Sequence, residues 1–307
     1  MDVLTFPAPD QGTRPRAEDV ERARLHTADG TKARADGDLA RAERLYLAAI
    51  EAAPSFSAAW FDLGLVYKAE RDWIRTAVCN RRSLELESPE GDPAWWNLGI
   101  AATALREWDT ARWAWRGYGI TVTGDAGPIE MDFGMAPVRI NPDGLGEVVG
   151  GWRLDPARAQ IANVPLPSSG HRWHDVVLHD GTPTGQRMVG ETVYGVFDEI
   201  EVWERSSVPT WECLIDAAAD DIAVLRTRFD KHRGALEVWT ESIRQLCRSC
   251  SQGAPAADHD HGPFRASAGG SHVGIAAPRA LAERLLDEWV AEDTRRARSD
   301  LIAADED

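Results

Sequence analysis

The sequence predicts a multidomain chain with α and β structure in three parts. These are an N-terminal all-α solenoid of three helix-turn-helix repeats, a central small antiparallel β module and a C-terminal α+β module. Three observations predict this order. A helical pattern recurs about every 34 residues in the first third of the chain. Short β-type runs separated by turn residues follow it, and strands then alternate with amphipathic helices.

The predicted boundaries follow these changes of pattern. They give a flexible leader over 1–15, the helical repeats over 16–122, the β module over 123–210, the α+β module over 211–298 and an acidic tail over 299–307. Pro and Gly residues predict the leader, and the acidic composition predicts a tail that frays into solvent.

The repeats are defined by turns that fall at equivalent places in successive copies. These turns are Gly37-Asp38-Leu39, Arg71-Asp72-Trp73 and Arg106-Glu107-Trp108. The run from Trp60 to Gly64 likewise recurs from Trp95 to Gly99. In both runs the small glycine would let two helices approach closely, while the large residues fill the space between neighbouring helices.

These residues resemble the signature of the tetratricopeptide repeat (TPR) family. The second copy carries Trp60, Leu63, Gly64 and Tyr67 at the first-helix positions, the third carries Trp95, Leu98 and Gly99, and the first supplies Gly37, Ala42, Tyr46 and Pro54. The resemblance covers roughly a third of the chain. It implies a short TPR solenoid that binds other polypeptides.

The resemblance also implies which residues line the groove of the solenoid. The fifth, ninth and twelfth positions of each repeat face it, which are Phe61, Leu65 and Lys68 in the second copy and Trp96, Ile100 and Thr103 in the third. Exposed aromatic side chains there would anchor a peptide or a helix of a partner. The alternative is that the chain's own β module or C-terminal helix covers this groove.

One departure from the family pattern argues against a chaperone partner. Members that bind the acidic tails of chaperones use Lys, Arg and Asn in the groove. This chain has Thr27, Thr31, Asp62 and Pro93 there, and Asn97 alone is comparable.

Six β-type runs predict the strands of the central module. They are Pro137 to Ile140, Gly146 to Leu154, Ala159 to Pro165, His174 to His179, Gln186 to Val189 and Thr192 to Trp203. The turn signals between them favour a compact antiparallel module of five or six strands, for which a small barrel is one arrangement.

Strands and helices alternate in the C-terminal module. The expected order is a strand from Trp211 to Ala217, a helix from Asp220 to His232, a strand or short helix ending at Leu246, a strand from His272 to Ala277 and a helix from Pro278 to about Arg298. This order predicts an open sheet with helices on one face, and a ferredoxin-like topology is one candidate.

A Cys/His-rich loop over 247–270 carries the sharpest chemical pattern in the sequence. Cys247, Cys250, His259 and His261 supply two thiolates and two imidazoles, the donor set that tetrahedral zinc prefers. The spacing differs from that of a nucleic-acid-binding finger, so the pattern predicts a structural zinc knuckle. Two other interpretations stay open, namely inert cysteines beside a polar loop and a redox pair.

Histidine and glutamate residues of the β module raise a second question of chemistry. His171, His174 and His179 are either surface or hydrogen-bonded side chains or a functional cluster. Strand alternation places Glu199 and Glu201 on the solvent face, and a glycosidase-like acid pair is the alternative.

The formal charge of −16 bears on the partner. Nucleic acid and membrane surfaces are polyanions and are not expected as partners, whereas a basic protein is electrostatically favoured. The sequence has no apolar segment long enough to span a bilayer and no secretion signal, so a cytoplasmic protein is expected. Glycine-rich phosphate loops are absent as well.

Together these patterns predict an adaptor that binds a partner polypeptide through the repeats, with an immunity or antitoxin-like role as one specific form. The alternative is a metalloenzyme that uses the Cys/His loop with an open coordination position on its metal.

Overall fold

The computed structural model describes residues 16–144, 146–189, 192–239 and 270–304. The chain divides into two compact units, Met1–Ile129 and Glu130–Asp307. No helix in the described ranges is both long enough and apolar enough to cross a bilayer.

The first unit consists of three helical hairpins. Its six helices are α1 (Ala17–Ala35), α2 (Leu39–Ala52), α3 (Ser57–Ala69), α4 (Trp73–Leu86), α5 (Pro93–Ala104) and α6 (Trp108–Gly117). The predicted helix-turn-helix repeats are therefore present, with each predicted turn joining the two helices of one hairpin.

The three turns share one backbone conformation. Gly37, Arg71 and Arg106 all adopt a positive φ, of 81°, 59° and 62° respectively. This left-handed conformation ends the first helix of each hairpin. The next residue of the first two turns, Asp38 or Asp72, caps the following helix by accepting a hydrogen bond from a backbone N–H.

Close packing explains the two glycines that the repeat pattern places inside helices. A Cβ atom on Gly99 would lie 2.5 Å from the ring of Trp115, and one on Gly64 would lie 2.6 Å from the amide of Asn80. The indole N–H groups of Trp60 and Trp95 also donate to equivalent carbonyl groups, of Pro54 and Pro89. The second and third hairpins therefore repeat one another in side-chain contacts as well as in helix order.

The second unit begins with a closed β barrel. Its strands are β1 (Met135–Ile140), β2 (Glu147–Arg153), β3 (Arg158–Ile161), β4 (Val176–His179), β5 (Gly185–Val189) and β6 (Thr192–Glu204). The order β1-β2-β3-β4-β6 returns to β1 through a β1–β6 pair, and β5 extends the sheet beside β6. The closing pair is parallel, whereas the sequence predicts antiparallel strands throughout.

The remaining elements of this unit form a second sheet with two helices. They are β7 (Thr210–Asp216), α7 (Ala219–Lys231), β8 (Ala235–Val238), β9 (Ser271–Ala276), α8 (Arg279–Ala291), β10 (Ala297–Arg298) and β11 (Ile302–Ala303). The sheet order is β10-β7-β9-β8, with antiparallel neighbours, and β11 also pairs with β7.

Both helices of this sheet lie over one face. Phe229 of α7 and Trp289 of α8 belong to one buried cluster with Ile215 and Ile275 of the strands. The predicted arrangement of helices on one face is thus present. The last helix ends at Ala291, however, and is shorter than the predicted span to Arg298.

The predicted acidic tail is wrong for its first residues. Ser299 donates its backbone N–H to Leu214, and β11 pairs with β7. Leu301 is buried between these two attachments. Burial of Leu301 removes apolar surface from water, and this gain outweighs the tendency of the acidic residues to stay in solvent.

The two β-containing modules also pack against each other, which the sequence does not predict. Trp239, directly after β8, is fully buried with Val164 and Leu166 of the barrel segment. Its indole N–H donates to the carbonyl of Val164 at 3.1 Å. This shared cluster explains why the two modules form one compact unit.

Candidate functional site

The predicted groove is built on α3 and α5, the first helices of the second and third hairpins. Lys68 of α3 donates from Nζ to Oδ1 of Asn97 on α5 at 2.8 Å, which holds the two helices side by side. Phe61, Leu65 and Lys68 are half-buried and keep part of their side-chain surface accessible. These residues therefore form the α3 side of the candidate site.

Trp96 forms the α5 side of the same site. It is half-buried, and its ring packs edge-on against Trp115 at 5.1 Å and Tyr118 at 5.0 Å between centroids. Its Nε1 atom is buried without a hydrogen-bond partner in the described part of the chain. Trp96 thus contributes to the packing of the third hairpin as well as to its surface.

The sequence predicts that Ile100 and Thr103 line the groove, but the structure buries both. Both are fully buried on α5, so their side chains offer no surface to a partner in this structure. Family geometry predicts the helix face but not how completely it is covered. The accessible part of the predicted site is therefore Phe61, Leu65, Lys68 and Trp96.

The charges beside the groove are largely balanced within it. Burial raises the pKa of Asp62 on α3, and the nearby Arg34 of α1 partly opposes this effect. Their charged atoms lie 3.9 Å apart. Asn97, the residue comparable to those that bind chaperone tails, already accepts the hydrogen bond from Lys68. The groove thus offers apolar surface with few uncommitted charges.

The four predicted zinc ligands, Cys247, Cys250, His259 and His261, lie outside the described residues. Within the described ranges, no group of three or more His, Cys, Asp or Glu side chains is placed to hold a metal ion. The other two cysteines, Cys79 and Cys213, are buried free thiols. Burial raises the pKa of each thiol to about 12, so neither is a reactive nucleophile near neutral pH.

The three histidines of the barrel segment have different surroundings. His171 is buried and its Nε2 lies 2.8 Å from Oε1 of Glu199. His174 lies outside the strand with a positive φ and stacks on Trp173. His179 is fully buried at the end of β4. Although burial alone lowers the pKa of His171, the hydrogen bond and charge of Glu199 raise it above the usual value.

The predicted solvent position of Glu199 is wrong. Glu199 is buried, where it binds His171 and accepts a hydrogen bond from the backbone N–H of Asn141 at 3.0 Å. The register between β4 and β6 shifts between Leu178 and His179, which breaks the simple alternation. The sequence carries no visible signal for such a shift.

A cleft of about 570 Å³ opens beside the barrel. Its lining is mostly apolar and consists of Met135, Ala136, Pro137, Val149, Gly150, Asn163, Arg187 and Tyr194. The polar groups in this lining take part in the fold: Arg187 donates to the carbonyl of Val148, and Asn163 accepts from the N–H of Gly150. The sequence does not predict this cleft, because its residues come from distant strands.

In comparisons with known proteins, the similarity found is to solved structures and covers the helical part of the chain. No protein-family model matches the chain, and no curated protein matches it. Among solved structures, the second TPR of Spaghetti (RPAP3) bound to an HSP90 peptide is 16% identical, with a TM-score of 0.32, over 33% of this chain and 93% of that one.

Two further structures are similar to a comparable extent. A Thermobaculum terrenum O-GlcNAc transferase mutant is 21% identical, with a TM-score of 0.31, over 34% of this chain and 20% of that one. The CopN-Scc3 complex is 18% identical, with a TM-score of 0.30, over 37% and 76% of the two chains. All three TM-scores are below 0.5, and the repeats are defined by their own helices, turns and side-chain contacts.

Proposed function

We propose that the chain is a protein-interaction adaptor and that its helical repeats are TPR repeats, which bind a segment of a partner polypeptide between α3 and α5. The observation that carries the proposal is the Lys68–Asn97 hydrogen bond, which joins α3, with its partly exposed Phe61 and Leu65, to α5, with its partly exposed Trp96. Aromatic and aliphatic side chains on adjacent helices are the anchors that peptide-binding grooves use.

The chemistry of the partner follows from shape and charge. The accessible groove residues are mainly apolar, so the bound segment would present apolar side chains. The formal charge of −16 supports a partner that is basic as a whole. An immunity or antitoxin-like role against a basic toxin is one form of this proposal. Its association rate would then fall steeply as salt is added.

The test is quantitative affinity capture from native lysate with a variant that carries both Phe61→Ala and Leu65→Ala. We expect this variant to retain about a tenth or less of the proteins that wild type captures, because groove anchors dominate binding energy. Both side chains are half-buried, so circular dichroism must first show that the variant is folded.

The matched control is Arg24→Glu, a charge reversal on the exposed surface of α1. It should capture the same proteins as wild type. If the folded groove variant captures them equally well, the groove is not the binding site.

We further propose that Cys247, Cys250, His259 and His261 hold a structural zinc ion. The support is the donor set and the sequence spacing. Metal quantification of protein purified without chelator should find about one zinc per chain, and less when Cys247 and Cys250 are both changed to Ser. Loss of zinc should destabilise the second unit. If metal removal abolishes an activity and leaves the fold intact, the result would instead favour the metalloenzyme alternative. If the purified protein holds no metal, the proposed zinc site is contradicted.

We also propose that the C-terminal module is ferredoxin-like. The support is that its described elements follow the order βαββαβ (β7, α7, β8, β9, α8 and β10) and form an antiparallel sheet with both helices on one face.

A further inference from the structure

The second helices of the hairpins carry an exposed surface that the groove does not use. It comprises Arg44 of α2, Ile74, Val78 and Arg81 of α4, and Trp113 and Arg116 of α6, and we call these six residues the outer stripe. Ile74 is 55% exposed, Val78 37% and Trp113 47%. Large apolar side chains are rarely grouped in this way on a free surface unless it binds something.

The stripe is continuous from α4 to α6. Ile74, Val78 and Arg81 are spaced by four and then three residues, so they share one face of α4. Arg81 donates from Nη2 to Oγ1 of Thr110 on α6 at 3.4 Å. Its guanidinium also lies 5.9 Å from the ring centroid of Trp113. Arg81 therefore links the exposed face of α4 to Trp113 on α6.

The stripe extends to α2 through the repeat frame. Arg44 occupies the position in α2 that Val78 occupies in α4 and Trp113 in α6. The helices α2 and α4 lie next to each other, since the charged atoms of Glu43 and Arg75 are 3.3 Å apart. Arg44 thus flanks the apolar part of the stripe on the side opposite α6.

The charge of the stripe is opposite to that of the chain. Arg44, Arg81 and Arg116 are exposed, and none of them forms an ion pair with a carboxylate within the described residues. Exposed carboxylates also lie on these helix faces: Asp109 is one turn before Trp113, Glu51 is two turns after Arg44, and Glu85 is one turn after Arg81, where it pairs with Arg82 at 2.7 Å. The six residues of the stripe are therefore apolar or basic, and its three arginines are cations that pair with no carboxylate in the described ranges of a chain with a formal charge of −16.

We propose that the outer stripe binds an acidic amphipathic helix of a partner protein. Such a helix presents apolar side chains at i, i+3, i+4 and i+7, which would pack on Ile74, Val78 and Trp113. Carboxylates beside that apolar row would pair with the three arginines. Trp and Arg are also the residue types that most often dominate interface energies. This surface is separate from the groove on α3 and α5, so the two binding sites can be tested independently.

The probe is a fluorescently labelled synthetic helix of about 18 residues, long enough for five turns, with Leu on one face and Glu beside it. A second peptide carries Lys in place of Glu. Fluorescence anisotropy at low ionic strength should show that full-length protein binds the acidic peptide at least about tenfold more tightly than the basic one.

The variants then locate the binding site. Arg81→Glu combined with Arg116→Glu should weaken binding of the acidic peptide by at least about tenfold and strengthen binding of the basic peptide. Trp113→Ala should also weaken binding of the acidic peptide by about tenfold. The control Arg24→Glu, confirmed as folded, should bind it as wild type does.

Three results would overturn the proposal. One is equal affinity for the acidic and basic peptides, and another is unchanged binding by the folded double charge reversal. The third is binding that becomes detectable only after Asp305, Glu306 and Asp307 are deleted, which would make the chain's own acidic end the occupant.

Discussion

His179 is a fully buried imidazole with one satisfied nitrogen. Its Nδ1 lies 3.1 Å from the carbonyl oxygen of Asp180, which makes Nδ1 the protonated nitrogen of the neutral ring. Its Nε2 is buried without a hydrogen-bond partner in the part of the chain that the structure describes. Burial, reinforced by the charge of Arg153, lowers the pKa of His179 from 6.5 to about 4.

This lowered pKa predicts acid destabilisation of the folded chain. As the pH falls below 6.5, the unfolded chain binds a proton at His179 that the folded chain excludes. Between about pH 7 and pH 5, His179 should therefore reduce the free energy of unfolding by roughly 2 kcal/mol.

The measurement compares urea unfolding of wild type and His179→Leu at both pH values. The variant should lose correspondingly less stability on acidification, because its other titrating groups are the same. Parallel pH profiles for the two proteins would contradict the assigned protonation state of His179.

Single residues of the repeats were predictable because their roles are local. The positive φ of Arg71 and Arg106 follows from their equivalence to Gly37, and the close approach at Gly99 follows from the repeat signature. Glu199 was not predictable in this way. Its burial depends on a register shift between two strands and on the position of His171.

At the scale of elements, the strand β7 depends on the end of the chain for its neighbours on one side. The strands β10 and β11 both pair with β7. Strands of two residues are too short for an alternation pattern, so the sequence offers no periodic signal for them. Their attachment is secured by Leu301, which is 6% exposed, while its neighbour Ile302 is 59% exposed.

This difference in burial predicts different effects of the same truncation. Leu301→Ala should lower the free energy of unfolding of the second unit by about 2 to 5 kcal/mol, because it removes a buried side chain and leaves a cavity. Ile302→Ala, the matched control, should cost no more than about 0.5 kcal/mol. Chemical unfolding measures both, and equal costs would show that this end does not pack as described.

At the scale of the whole molecule, the order of helical and strand regions was predictable from the sequence. The packing of the two β-containing modules into one compact unit was not. Periodicity and turn residues predict helices first, then strands, and then strands that alternate with helices. The packing of Trp239 against Val164 joins residues that are distant in sequence, so no local pattern reveals it. Burial of Ile100 and Thr103 is likewise a tertiary property, although their helix was predicted.

The same limit applies to function. The groove helices follow from the repeat signature, whereas the outer stripe depends on which side chains remain exposed after folding. A chain with two such surfaces on one helical unit could hold two segments of a partner, or of two partners, at once.

The function proposed for the repeats is binding of a partner polypeptide between α3 and α5. Hydrogen–deuterium exchange of the full chain, alone and saturated with a captured partner, tests it most directly. Binding in the groove should add protection in Ser57–Ala69 and Pro93–Ala104, with no comparable change in α7 and α8 of the second unit. Protection confined to α4 and α6 or to the second unit, with α3 and α5 unchanged, would contradict it.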